Sequence, residues 1–179
     1  MSGPTLDTGA RADHLRRMDI PLTLGLIGFL ACCYLAASTG AFFRPGPWYE
    51  GLAKPAWNPP NWLFPIAWAV LYTMMAVAVW LVWREAGFAG AGLALGLWFL
   101  QLALNAAWSW LFFGLKRMDL ALAELCALWL AILATIVTFA AVSPLAAWLL
   151  APYLAWVSFA GVLNAKLLQL NRARVLARG

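Results

Sequence analysis

The chain has 179 residues, enough for one domain or one compact bundle, and 65% of them are hydrophobic while only 11% are charged; a soluble domain has about 45–50% and about 25%. That composition excludes an ordinary water-soluble fold. The net charge of +5 comes from basic residues scattered along the chain, which argues against a nucleic-acid partner and makes membrane lipid the natural surroundings.

Residues 1–19 form a polar N-terminal tail, with Arg11, Arg16 and Arg17 against Asp7, Asp13 and Asp19. The apolar run that follows exceeds the roughly 7–15 residues of a signal h-region, so it reads as a retained first helix. About 20 apolar residues span a bilayer core, and five stretches qualify, near 20–43, 62–83, 93–113, 120–142 and 145–168. Pro65 lies near the start of the second and Pro152 inside the fifth; Lys116-Arg117-Met118-Asp119 precedes the fourth, and a basic tail, 172–179, ends the chain. The expected fold is an all-α membrane protein, a five transmembrane helix bundle whose short connections make neighbours antiparallel. Four Lys/Arg on one side (Arg11, Arg16, Arg17, Arg84) against seven on the other (Arg44, Lys54, Lys116, Arg117, Arg172, Arg174, Arg178) predict a cytoplasmic C-terminus.

The connection 44–61 stands apart, because five of the ten prolines fall in its 18 residues, together with Trp48, Tyr49 and Trp57. Proline fixes φ and biases its predecessor away from the α region, so the loop is expected to be extended and stiff. It reads equally as a lid over the bundle or as an interfacial anchor.

Chemistry at depth is sparse. Glu124 and Lys166 lie near helix ends, within expected reach of the interface, and no ionisable group is near a helix centre, which disfavours an ion-coupled transporter. The one histidine, His14, is in the tail, so a metal or haem-ligating cluster is not expected, and no serine has a base to activate it, so no catalytic residue is assigned. Cys32, Cys33 and Cys126 read as apolar packing residues. What remains is polar and aromatic. Trp98, Gln101, Asn105 and Trp108 share one face of the third helix; Trp68, Tyr72 and Met75 share one on the second; Tyr153, Trp156, Ala160 and Asn164 share one on the fifth. Such amides either tie helices together or orient a ligand. An aromatic, nearly uncharged pocket suits a flat hydrophobic molecule such as a porphyrin or a sterol. Trp48, Trp62, Trp83 and Trp148 lie near the expected membrane surfaces, where tryptophan is an ordinary anchor. Gly92/Gly96 and Ala103/Ala107 allow close helix approach, within the bundle or in a dimer.

The segment Pro55-Ala56-Trp57-Asn58-Pro59-Pro60-Asn61-Trp62-Leu63-Phe64-Pro65-Ile66-Ala67-Trp68-Ala69-Val70-Leu71-Tyr72 resembles the TspO/MBR family of tryptophan-rich sensory proteins, in its bacterial form. So do Thr39-Gly40, Gln101 to Asn105 with Trp108, Phe112-Phe113-Gly114 to Lys116-Arg117, and Pro152-Tyr153-Leu154-Ala155-Trp156 to Leu163-Asn164. The resemblance covers residues 20–171. It implies a multi-pass protein of a bacterial cell membrane, usually a homodimer, with a pocket beneath the first loop for protoporphyrin IX-like tetrapyrroles, and in some members for sterols or benzodiazepine-type ligands. No obligatory cofactor is implied. Its function would be sensing or translocation of porphyrin, or else a light- and oxygen-dependent degradation of it at pocket tryptophans. Carried over by position, Trp68, Asn105, Trp108 and Trp156 would line the pocket beneath Trp57. With the residues that share their faces, the candidate ligand-binding set is Trp57, Trp68, Tyr72, Gln101, Asn105, Trp108, Tyr153, Trp156 and Ala160. Two positions depart from the pattern: Ala56 replaces a tryptophan of many bacterial relatives, and Ala165 replaces the tyrosine of the animal sterol motif.

Overall fold

The computed structural model describes residues 8–172, with side chains from Leu22 onward. His14, the N-terminal arginines and most of the basic tail, on which part of the charge tally rests, lie outside the described side chains.

Helix α1 (Thr8–Phe42) contains the first span, Leu22–Phe42. Helix α2 (Pro47–Glu50) is a single turn inside the long loop; α3 is Leu63–Gly90; α4 (Gly92–Ser109) runs on into a π-helical turn, Trp110–Gly114; α5 is Met118–Ala140; α6 is Pro144–Leu170. The structure is all-α, with no strand among the described residues, and five of its helices are long and apolar enough to cross a membrane.

The prolines explain where several helices start. Pro47 and Pro144 occupy first-turn positions, where an amide hydrogen would have no intrahelical partner. Pro65 falls in the first turn of α3, behind the Leu63 N–H that donates to the Pro60 carbonyl at 3.0 Å, so it opens the helix and does not interrupt it. Pro152 is interior to α6 and leaves the carbonyl one turn earlier without its usual donor. The loop expected to be extended thus holds one helical turn, because Pro47 after Gly46 is pre-set for the first helical residue. Near its end α3 kinks at Gly87, whose φ of +64° a side chain would resist.

The five spans close into a ring in the order α1, α3, α6, α5, α4, with α4 back against α1. Met75, Val79, Trp98, Ile132, Tyr153 and Val157 fill the middle, each 1% exposed or less. Tryptophans sew α1 to α3. Trp80 Nε1 donates to the Leu22 carbonyl at 2.9 Å, and Trp83 meets Phe29 edge-on at 6.0 Å. The approach is close enough that a Cβ on Gly25 would stand 2.3 Å from the Trp83 ring. Trp83 is therefore partly buried in packing, as is Trp48, edge-on against Phe112; Trp62 and Trp148 are exposed. Leu24, Leu35, Leu93 and Val137 face outward, as a lipid solvent permits.

The first loop, the turn from α4 to α5 and the end of α6 meet at one end of the bundle. Tyr49 and Leu52 are buried there with Phe112, Met118, Leu163 and Leu167. Asn171 imitates a backbone: its Oδ1 accepts from the Ala53 N–H at 3.0 Å, and its Nδ2 donates to the Ala53 carbonyl at 2.9 Å and to the Leu167 carbonyl at 2.9 Å.

Candidate functional site: an aromatic cavity under the first loop

Beneath that loop lies a cavity of about 600 Å³, walled by all five spanning helices and by Pro45, Tyr49 and Asn61. Trp68, Tyr72, Asn105, Trp108, Trp156 and Ala160 line it. The other three candidates do not. Tyr153 stands behind Asn105, fully buried, with its ring edge-on to Trp68 at 6.2 Å. Gln101 is one turn earlier on α4, toward the other end of the bundle, buried with both amide atoms unpartnered. Trp57 is 46% exposed and meets Phe159 edge-on at 5.9 Å, outside the wall. Helical periodicity assigns a face but not a depth along it, and that is why Gln101 was grouped with Asn105.

The rings are arranged by the usual preference for edges against faces. Trp68 and Trp156 stand nearly perpendicular, 84° at 6.4 Å, while Trp108 has one face stacked on Phe112 at 4.8 Å. Deepest is a three-helix node: the Tyr72 hydroxyl on α3 donates to Asn105 Oδ1 on α4, and Asn105 Nδ2 donates to the Tyr153 hydroxyl on α6 at 3.0 Å. Two buried polar atoms of wall residues lack a partner. Trp108 Nε1–H has no partner, and Asn164 Oδ1 has none although its Nδ2 donates to the Met118 carbonyl at 3.1 Å.

The wall is almost without charge: of its lining residues, Arg44 alone is ionic. Burial pushes the Tyr49 phenol up from its ordinary value, with Asn58 pulling weakly the other way, so it is neutral near pH 7. Among the described residues no group of three or more His, Cys, Asp or Glu side chains is placed to hold a metal ion. Glu124 departs from its expected place. It lies six residues into α5, about 9 Å from the helix start at 1.5 Å per residue, and both carboxylate oxygens are buried without a hydrogen bond. Lys166 does reach out, to Gln169 at 2.8 Å.

The wall also holds residues outside the candidate set read from sequence, among them Tyr34, Arg44, Tyr49, Phe112, Leu128 and Leu167. The Phe112-Phe113 pair was visible as a motif. The leucines carry no signal that separates a cavity wall from a core.

Fold and cavity together define a multi-pass membrane protein with an aromatic chamber inside the bundle, closed at one end by a proline-rich loop. The chain belongs to the TspO/MBR family, whose sequence model matches residues 29–170. It is 44% identical to the protein CrtK of Rhodobacter capsulatus, over 84% of this chain and 94% of that one. It is also 44% identical to a tryptophan-rich sensory protein of Cereibacter sphaeroides, over 84% and 93%, and to the translocator protein of Homo sapiens, over 77% and 85%. It is thus a membrane protein of the sensory and translocator type.

Proposed function

We propose that the chain binds a porphyrin of the protoporphyrin IX type in the cavity under the first loop and acts as a sensor or translocator of it, without an obligatory cofactor. The observation that carries this reading is the cavity itself. Its volume falls in the range that buries a drug-sized ligand, roughly 300–1,000 Å³, and its wall is aromatic and nearly uncharged. Membership in a family of sensory and translocator proteins supports it. Sterols and benzodiazepine-type ligands would use the same cavity. The working form would be a homodimer in a bacterial cell membrane, with its C-terminus in the cytoplasm.

Quenching of tryptophan fluorescence by protoporphyrin IX tests the reading. Saturable quenching in the wild type, weakened at least several-fold in the Trp68→Phe/Trp156→Phe variant, is the expected result. Unchanged affinity in that variant would mean that the ligand sits elsewhere.

A second reading, light- and oxygen-dependent degradation of the bound porphyrin, is favoured by one feature. Trp68, Trp156, Phe159 and Trp57 form an unbroken succession of ring contacts, 6.4, 5.8 and 5.9 Å, from the cavity to an exposed tryptophan. It requires loss of the porphyrin absorption band under illumination, abolished in the same double variant. A stable band would remove it.

A further inference from the structure

We propose that Arg44 is the specificity-determining residue of the cavity: it receives an anionic group of the ligand at the loop end, so that flat amphiphiles bearing a carboxylate are selected over neutral ones of the same shape. The proposal rests on the porphyrin reading and adds to it the ligand's charge and its orientation.

Arg44 follows the end of α1 and lines the loop end of the cavity beside Pro45. Its Nε donates to the Ala41 carbonyl at 2.8 Å, which fixes the guanidinium while leaving both terminal nitrogens without a partner among the described residues. A guanidinium held by Nε presents its remaining donors as a fork that fits a carboxylate. No aspartate or glutamate lines the cavity to compete for it, and the ion pair seen among the described residues joins Arg117 to Asp119. The loop's other cation, Lys54, is engaged elsewhere, 4.5 Å over the Tyr49 ring and 3.1 Å from the Glu50 carbonyl.

The rest of the wall can offer an anion little. The donors of Tyr72 and Asn105 are spent on each other and on Tyr153, and the Thr39 hydroxyl is spent on the Ala36 carbonyl at 2.8 Å. Trp108 Nε1–H, the Ser109 hydroxyl and the Asn61 amide remain, all of them neutral donors. A carboxylate driven against Trp68 or Tyr72 would lose its water without gaining a countercharge. The same group at the loop end, where Arg44 is exposed, keeps part of its hydration and meets the guanidinium. An amphiphile therefore enters apolar end first, and its acid stays under the loop. Protoporphyrin IX, with two propionates on one edge of an apolar macrocycle, has that shape.

Arg44 is exposed, so solvent screens the attraction and the effect is moderate, about three- to tenfold in affinity. The test titrates the purified full chain, in vesicles of uncharged lipid, with protoporphyrin IX and with its dimethyl ester. The wild type should bind the free acid about three- to tenfold more tightly than the ester. Arg44→Gln should erase the difference by weakening the acid alone, and Arg44→Lys should retain part of it. At about 1 M salt, where the Debye length is roughly 3 Å, the wild-type preference should shrink. Equal binding of acid and ester by the wild type, or a preference that survives in Arg44→Gln, would overturn the role of Arg44 and leave the porphyrin reading standing. Absence of saturable binding by either compound would overturn both.

Discussion

Asn105 is the residue whose replacement tests the structure most directly, because among the described residues its side chain alone is hydrogen-bonded to both α3 and α6 from α4. It is 6% exposed and its partners Tyr72 and Tyr153 are 4% and 0% exposed, so water does not replace what is lost. Asn105→Leu keeps the approximate volume and removes two interhelical hydrogen bonds, leaving two hydroxyls without partners. In a water-soluble protein, orphaning two buried groups would cost about 2–6 kcal/mol at about 1–3 each. In a membrane the separated helices also find partners, and measured interhelical bonds average about 0.6 kcal/mol with a maximum near 1.7. The membrane reference is the right one here, which puts Asn105→Leu at about 1–3 kcal/mol and Tyr72→Phe or Tyr153→Phe at about 0.6–1.7 each. Reversible unfolding in mixed micelles of rising denaturing-detergent content measures these values. Because the three side chains form one network, Asn105→Leu combined with Tyr72→Phe should cost less than the sum of the single changes by more than about 0.5 kcal/mol. Additive costs, or an Asn105→Leu variant within about 0.3 kcal/mol of the wild type, would refute the node.

Asn171→Ala should release the first loop, by orphaning both backbone groups of Ala53, and cost about 1–2 kcal/mol; faster amide exchange and protease cleavage within 44–61 would show it, and wild-type rates would count against the clamp. Gly25→Ala places a methyl 2.3 Å from the Trp83 ring and should destabilise by about 1–3 kcal/mol as α1 and α3 are forced apart; a neutral outcome in the same unfolding assay would mean that Trp83 moves freely. A Cβ on Gly96 would meet nothing within 4 Å, so Gly96→Leu should leave folding unchanged while chemical cross-linking of a dimer in native membranes falls. Undiminished cross-linking would place the dimer contact on another face.

The five spans were legible because lipid demands long apolar runs, and a signal of that strength survives local exceptions such as Pro65 and Pro152. Tyr72, Asn105 and Trp156 were legible as inward groups because a polar or indole side chain at mid-depth has few other places to go. Gln101 and Trp57 show where that logic stops: the first shares the right face at the wrong depth, and the second belongs to a loop whose path depends on tertiary contacts. Asn171 gave no signal, since its partner Ala53 is 118 positions away and a lone asparagine at a helix end ordinarily reads as a cap. Glu124 was misplaced for a similar reason. Its distance from the helix start is readable in sequence, but the packing that covers its carboxylate is not.

Two interpretations of the buried amides, helix glue or ligand contact, can now be assigned residue by residue. Asn105 has both side-chain atoms engaged by tyrosines and Asn171 has both engaged by backbone, so a ligand could use either amide only by competing with a bond already made. Asn164 differs: it is a wall residue whose Nδ2 holds the start of α5, while its Oδ1 is buried without a partner at 1% residue exposure. An orphan alone is not evidence of a ligand, since Trp98 and Gln101 also leave polar atoms unpaired, away from the cavity. An orphan on a cavity wall is another matter, because an occupant with a complementary group recovers what the empty bundle forfeits, about 1–3 kcal/mol for each buried group. Asn164 Oδ1 as acceptor and Trp108 Nε1–H as donor are therefore the buried unpaired atoms that wall residues carry, and the node at Asn105 ties together the helices around them.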